Sequence, residues 1–262
     1  MITSTSNAQV KNIILLQKKQ KARKEQGAFV IEGSKMFLEA KQLGLLKRSF
    51  VSEHYFKSLM DTDPSVLQSV EYEVVEDKVF DQMADTVTPQ GIMAIVSMPS
   101  YRLEDMVRTD AANLILLEDL RDPGNLGTII RTAEAAGVTG IIMSKETVDL
   151  FNPKVIRSTM GSIYRMPYIY VEDFHDTLNI LKTNQFDLFA THLSGQNYYD
   201  QENYNGKCGI IIGNEAHGIT EETAKAATTL VKIPMNGHVE SLNAAIAASV
   251  IMYEVFRQKR NK

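Results

Sequence analysis

Apolar and polar positions come in short blocks along the chain, and their spacing changes repeatedly from helical to strand-like. Val10 to Leu16 carries apolar residues at helical spacing, and the charged run Lys18 to Lys24 continues it. Together they predict one basic amphipathic helix that ends near Gly27. Phe29-Val30-Ile31 reads as a strand, after which Ser34 is placed to cap a helix through Met36, Phe37, Leu38 and Ala40 to Gly44. Ser49-Phe50-Val51 predicts a second strand, Tyr55 to Met60 a helical stretch, and Tyr72 to Val75 and Gly91 to Val96 further apolar runs. These elements make a small α/β domain over residues 1–98. Pro99 and a rise in charge mark a linker, drawn at 99–112.

From Asn113 onward the alternation is regular. Strands at Leu114 to Leu117, Gly140 to Ser144, Tyr168 to Val171, Leu188 to Thr191, Gly209 to Ile212 and Leu230 to Ile233 are separated by helical stretches. Those stretches are Leu126 to Ala136, Pro153 to Ile163, Phe174 to Leu181 and Thr220 to Ala227, with a last helix from about Asn243 to Gln258. The expectation is an α/β domain over 113–262, a mainly parallel sheet with helices on both faces.

Composition narrows the class. The 262 residues are 44% hydrophobic and 23% charged, ordinary for a globular protein, and no apolar run approaches the roughly 18–20 residues of a membrane span. Residues 1–7 lack the charged-then-apolar order of a signal peptide, and Cys208 is the only cysteine, so a cytoplasmic location is expected. The net charge of −4 is unevenly placed: residues 1–48 hold ten basic and three acidic side chains, leaving −11 for the other 214. Such a run reads either as a solvated helix face or as an RNA footprint, in which Lys11, Lys18, Lys21, Arg23 and Lys24 would neutralise phosphates.

Three segments carry more polar residues and glycines than a plain strand-to-helix link needs. In Glu118-Asp119-Leu120-Arg121-Asp122-Pro123-Gly124-Asn125, a Pro-Gly pair forces a turn, Asn125 is a candidate cap, and Arg131 follows in the second turn of the helix. Arg131 could face the sheet edge or simply solvent. In Gly209-Ile210-Ile211-Ile212-Gly213-Asn214-Glu215-Ala216-His217-Gly218, a buried strand runs into two glycines, as close approach of a nucleoside to backbone requires. Glu215 stands where a dinucleotide fingerprint needs glycine, which argues against a Rossmann site. In Ile233-Pro234-Met235-Asn236-Gly237-His238-Val239-Glu240-Ser241-Leu242-Asn243-Ala244-Ala245, Ser241 and Asn243 offer polar groups at a helix start. Ser241 reads equally well as a bare N-cap.

In this order the three segments resemble the three motifs of the SpoU (TrmH) branch of the SPOUT methyltransferase superfamily, with no departure at the motif positions. The stretch from Ser6-Asn7 through Val30-Ile31-Glu32-Gly33 is similar to the RNA substrate-binding domain that often precedes the catalytic domain, so the likeness spans nearly the whole chain. The resemblance implies a deep trefoil knot in the parallel-sheet domain, and a homodimer formed through that domain. It implies S-adenosyl-L-methionine as cofactor, held near Thr191, Gly213, Ile233 and Leu242, with Asn125, Arg131, Glu215, Ser241 and Asn243 lining the reaction centre.

The implied activity is methylation of a ribose 2′-hydroxyl in RNA, ribosomal RNA of the 23S type first and transfer RNA second. A noncatalytic RNA-binding ribosome-assembly protein is the alternative from another class. Arg131 is the candidate to act on the hydroxyl, either as an unusual base or by orienting a phosphate and steadying alkoxide charge. Asn125 is expected to hold Arg131, and Glu215 to organise its loop. Metal chemistry is not expected: His54, His175, His192, His217 and His238 show no paired ligand spacing. Cys208 opens a strand and reads as core.

Overall fold

The computed structural model describes residues 1–260, so the last two positions of the 113–262 domain lie outside the described residues. The chain divides into two units, residues 1–99 with 151–164, and residues 100–150 with 165–262.

The first unit begins with α1 (Ala8–Lys18) and α2 (Gln20–Gln26) and continues through β1 (Ala28–Glu32), α3 (Ser34–Gln42), β2 (Leu46–Ser52), α4 (Glu53–Thr62), β3 (Tyr72–Val75), α5 (Asp77–Met83) and β4 (Ile92–Ser97). Its sheet runs β1-β4-β2-β3. β4 is antiparallel to both its neighbours, and β2 is parallel to β3. Residues 28–31 of β1 are all buried because the sheet is covered on both faces. Ala28 and Val30 join Val10, Ile13 and Leu16 of α1 and Phe80 and Met83 of α5 in one core. Phe29 and Ile31 point the opposite way by the strand alternation.

The single basic helix expected from Val10 to Lys24 is two helices. Lys19 adopts an extended conformation (φ −123°, ψ 109°) between them. The cause is Arg23, whose guanidinium donates to the carbonyls of Leu16 and Gln17 and so satisfies acceptors that the end of α1 leaves open. At α3 the cap is Gly33, and Ser34 is the first helical residue, its N–H held by Gln90 Oε1 at 2.9 Å.

The second unit begins with α6 (Leu103–Met106), β5 (Asn113–Leu117), α7 (Pro123–Ala135) and β6 (Gly140–Ser144). The next helix, α8 (Pro153–Thr159), belongs to the first unit. The sequence pattern places it with the catalytic domain, but its flanking aromatics decide otherwise. Phe151 packs on Phe29 at 4.6 Å between ring centroids, and the Tyr164 hydroxyl donates to Met36 O at 3.2 Å. Fully burying a side chain such as Phe29 is worth roughly 1.5–3 kcal/mol, which the strand pattern of β1 alone does not reveal.

The second unit resumes with β7 (Tyr168–Val171), α9 (Phe174–Thr183), β8 (Asp187–Thr191), β9 (Asn197–Tyr198), β10 (Cys208–Ile212), α10 (Glu221–Ala226), β11 (Thr229–Lys232) and α11 (Ala244–Lys259). Its sheet has the order β7-β6-β5-β10-β8-β11-β9, and every pairing is parallel. β5 and β10 lie at its centre, buried along their whole length, as unbroken Leu/Ile runs covered on both faces require. α6 and α9 pack on one side with Leu114, Leu116, Leu188 and Ile211. Residues 100–112, drawn as linker from the sequence, are part of this unit: Met106, Val107 and Ala112 are buried in that core. Cys208 is core as expected, and burial pushes its thiol pKa up. No helix among the described residues is long and apolar enough to cross a membrane.

Candidate active site

Adjacent parallel strands bring their carboxyl ends to one edge of the sheet, where β5 and β10 run side by side into the first two polar segments. Beyond β5, Asp119 takes a left-handed conformation (φ 54°), which a short polar side chain tolerates. Its N–H is held by Ser144 Oγ at 2.9 Å. The cap of α7 is Asp122, whose Oδ1 accepts from Asn125 N–H at 2.8 Å, with Pro123 at the first helical position. Asn125, expected as the cap, therefore lies in the first turn and turns its amide inward.

Beyond β10 the chain makes a tight loop closed by mutual backbone hydrogen bonds between Asn214 and Gly218, both 2.9 Å. Gly213 has to be glycine: a Cβ there would lie 2.1 Å from the carbonyl carbon of Gly218. Asn214 fastens the loop at its base, accepting from Ala216 N–H and donating from Nδ2 to Asp119 O, both at 2.9 Å.

From this loop Glu215 reaches back to the β5 side. It accepts from the N–H groups of Arg121 (3.0 Å) and Asp122 (2.9 Å) and from Asn125 Nδ2 (2.9 Å). With Nδ2 donating to the carboxylate, Asn125 Oδ1 is left to accept from Asn243 Nδ2 at 2.8 Å. Asn243 in turn caps α11, its Oδ1 accepting from the N–H groups of Ala245 and Ile246. One chain of hydrogen bonds thus runs Asn243–Asn125–Glu215 and joins all three sequence segments. Burial of Glu215 works against its ionisation, but the hydrogen bonds from Arg121, Asn125 and Asp122 outweigh it and hold the carboxyl below its ordinary value.

Two expected members stand outside this chain. Arg131 is exposed and makes no side-chain hydrogen bond or ion pair among the described residues. Asn125 does not hold it, because six residues advance about 600° around a helix and leave the two side chains on different faces. Ser241 is exposed, and the cap of α11 is Asn243 instead. Arg23, expected on the RNA-binding face, is 4% exposed and committed to the end of α1, whereas Lys11, Lys18, Lys21 and Lys24 are exposed.

Three of the four residues expected at the cofactor lie at neighbouring strand ends. Thr191 ends β8, Gly213 follows β10 and Ile233 follows β11, three strands that are neighbours in the order β10-β8-β11. The carboxyl edge of a parallel sheet is where such folds bind ligands. Thr191 Oγ1 is already engaged, donating to Ile211 O at 3.2 Å. Leu193, 72% exposed and two residues past β8, and the half-buried Ile233 leave apolar surface uncovered there, and Leu242 in the third segment is also half-buried. Gly195 is pressed on β11: a Cβ would lie 2.9 Å from Leu230 O. Apolar side chains beside backbone polar groups and crowded glycines fit a nucleoside cofactor. Between the two loops lies a cleft of about 810 Å³ walled by Glu118, Arg121, Asp122, Glu215 and His217.

The sequence pattern missed Asp122, Gly195, Glu118 and Thr220. Asp122 carried a readable signal in its Asp-Pro pair at a helix start. Gly195 carried none, because the strand that crowds it is 35 residues away.

The SpoU rRNA Methylase family matches residues 112–253, and the MRM3-like substrate binding domain matches residues 7–94. The Bacillus subtilis 23S rRNA (guanosine(2553)-2′-O)-methyltransferase RlmP is 30% identical, covering 97% of this chain and 98% of its own. The AdoMet-bound rRNA methyltransferase of Sinorhizobium meliloti superposes with a TM-score of 0.86 at 32% identity, over 98% of this chain and 97% of that one. The SpoU methyltransferase AviRb of Streptomyces viridochromogenes, in complex with AdoMet, gives 0.85 at 25% identity over 96% and 98%. With all three motif segments joined at one sheet edge and the match covering more than half its length, the chain belongs to the SpoU rRNA methylase family.

Proposed function

We propose that the protein transfers the methyl group of S-adenosyl-L-methionine to a ribose 2′-hydroxyl of ribosomal RNA, of the 23S type. The observation that carries this is the Asn243–Asn125–Glu215 chain, which gathers the three segments beside the sheet edge formed by β10, β8 and β11. The likeness to RlmP, whose substrate is 23S rRNA, favours that RNA over transfer RNA. When bound, the cofactor supplies a sulfonium methyl that is already electrophilic. Thr191, Gly213, Ile233 and Leu242 would hold it, in a part of the chain we read as knotted.

The protein's own groups position and stabilise the reacting hydroxyl. The Asn125 amide is locked on both sides and needs no reorganisation to serve as a fixed dipole at the reaction centre. Arg131, unpaired among the described residues, is available to grip a phosphate or to steady developing alkoxide charge. Ser241, exposed and released from capping, adds a hydroxyl near Asn243. In the first unit, Lys11, Lys18, Lys21 and Lys24 present positive charge to RNA phosphates. Ile246 and Tyr253, 50% and 49% exposed and one heptad apart on α11, are where we place the contact of a homodimer. The location is cytoplasmic in this reading.

Labelled S-adenosyl-L-methionine, incubated with the protein and with purified 23S ribosomal RNA or transfer RNA, tests the assignment. Label is expected in a 2′-O-methyl nucleotide of ribosomal RNA. Label in transfer RNA alone would move the substrate, and calorimetry showing no cofactor uptake would make the protein a noncatalytic RNA binder.

A further inference from the structure

The loop that carries Glu215 is fastened at its far end by a second carboxylate. Glu118 ends the β5 side of the central strand pair, its N–H donating to Ile212 O at 2.9 Å, and its side chain is 5% exposed. Oε2 accepts from the Thr220 N–H at 2.9 Å, and Oε1 accepts from the hydroxyls of Thr220 and Thr223, both at 2.7 Å. Thr220 is the residue at which the loop becomes α10, and its Oγ1 caps that helix by accepting from Thr223 N–H. The Thr223 hydroxyl has one proton and gives it to Glu118, so its contact with His175 Nε2 at 3.1 Å is a donation from the imidazole.

No cation pairs with Glu118 among the described residues; only neutral donors converge on it. A buried carboxylate compensated in this way is a poor source of net stability compared with an apolar side chain of similar size. What it provides is an acceptor-only group that fixes one end of the 213–220 loop, while Asn214 Nδ2 fixes the other to Asp119 O at 2.9 Å. The two anchors come from consecutive residues of the β5 end, and Glu215 stands between them. Its reach to Arg121, Asp122 and Asn125 is therefore set by where Glu118 holds Thr220.

We propose that Glu118 is a positioning residue for methyl transfer: it holds the 213–220 loop so that Glu215 engages Asn125, and it acts only through Glu215. This rests on the reading that Asn125, Glu215 and Asn243 line the reaction centre. Glu118→Gln keeps the shape but puts an amide donor where one carboxylate oxygen accepted. Displacements of about 1 Å at a reaction centre cost up to roughly a hundred-fold in rate.

The test is a double-mutant cycle on the full chain, with Glu118→Gln, Glu215→Gln and the double variant, read by single-turnover methylation and by calorimetric affinity for S-adenosyl-L-methionine. The expected result is a fall of about ten- to a hundred-fold in rate for Glu118→Gln, with cofactor affinity changed by less than about three-fold. The double variant should be no slower than Glu215→Gln alone, because a residue acting through another adds nothing once that other is gone. A rate for Glu118→Gln equal to the unsubstituted protein, or losses that multiply in the double variant, would overturn the proposal. If Glu215→Gln itself leaves the rate unchanged, the reading of the reaction centre fails instead. Should Glu118→Gln not fold, Thr220→Val, which lacks the hydroxyl donor, is compared with Thr220→Ser, which keeps it. A slow Val variant beside a normal Ser variant supports the positioning role, and equal rates refute it.

Discussion

Asn243 Nδ2 donates to Asn125 Oδ1 at 2.8 Å while the side-chain oxygen Oδ1 of Asn243 caps α11. One side chain therefore starts the last helix and ties it to the first turn of α7. Its two jobs separate in Asn243→Ser, because serine caps a helix well but is too short to reach Asn125. Both variants lose the donor to the buried Asn125 Oδ1, but Asn243→Ala also loses the cap and should be less stable than Asn243→Ser by about 0.5–2 kcal/mol in urea unfolding, while both methylate slowly. Equal destabilisation by the two substitutions would show that the cap contributes nothing.

The Glu215 carboxyl, with its pKa held down by three protein donors, links stability to acid. A group whose folded-state pKa lies below its unfolded value contributes stability above the unfolded pKa and loses it as pH falls through the folded one. Unfolding free energy should therefore fall on acidification through and below the ordinary carboxylate range. Glu215→Gln should flatten that part of the curve while leaving the neutral-to-alkaline part parallel. Superimposable acid limbs in chemical denaturation at stepped pH would contradict the linkage.

Arg131 makes no side-chain hydrogen bond or ion pair among the described residues, so its removal should leave the fold alone. Arg131→Ala is expected to melt within a few degrees of the unsubstituted protein and to bind S-adenosyl-L-methionine normally, with turnover reduced by about a hundred-fold or more, the scale of losing one charge-stabilising donor. Arg131→Lys keeps the charge but not the planar fork, and should restore only part of the rate. Unchanged methyl transfer in Arg131→Ala would remove this residue from the reaction.

The basic residues of the first unit divide into two kinds. Replacing Lys11, Lys18, Lys21 and Lys24 with Gln should leave the melting temperature nearly unchanged and flatten the dependence of RNA affinity on salt, since each lost phosphate contact lowers the slope by about 0.7–0.9. Arg23→Gln should instead lower the melting temperature, because the carbonyls of Leu16 and Gln17 lose their donor. A change in salt slope for Arg23→Gln without loss of stability would return that residue to the RNA-facing side.

Local pattern was enough to locate most strands and helices, since the apolar runs of β1, β5 and β10 record burial directly in residue type. The parallel sheet was legible for the same reason, whereas Asn125, Glu215 and Asn243 were singled out as site residues only through the resemblance of their three segments to the SpoU motifs. What those groups do to each other was not legible, because Glu215 and Asn125 meet across 90 residues and Asn243 and Asn125 across 118. Only tertiary structure decided that Phe151 and Tyr164 pack with Phe29 and Met36, and that Glu118 anchors Thr220. In each case the deciding partner is a hydrogen-bond acceptor, donor or aromatic face. Its position follows from how the chain closes on itself, a fact that no run of neighbouring residues contains.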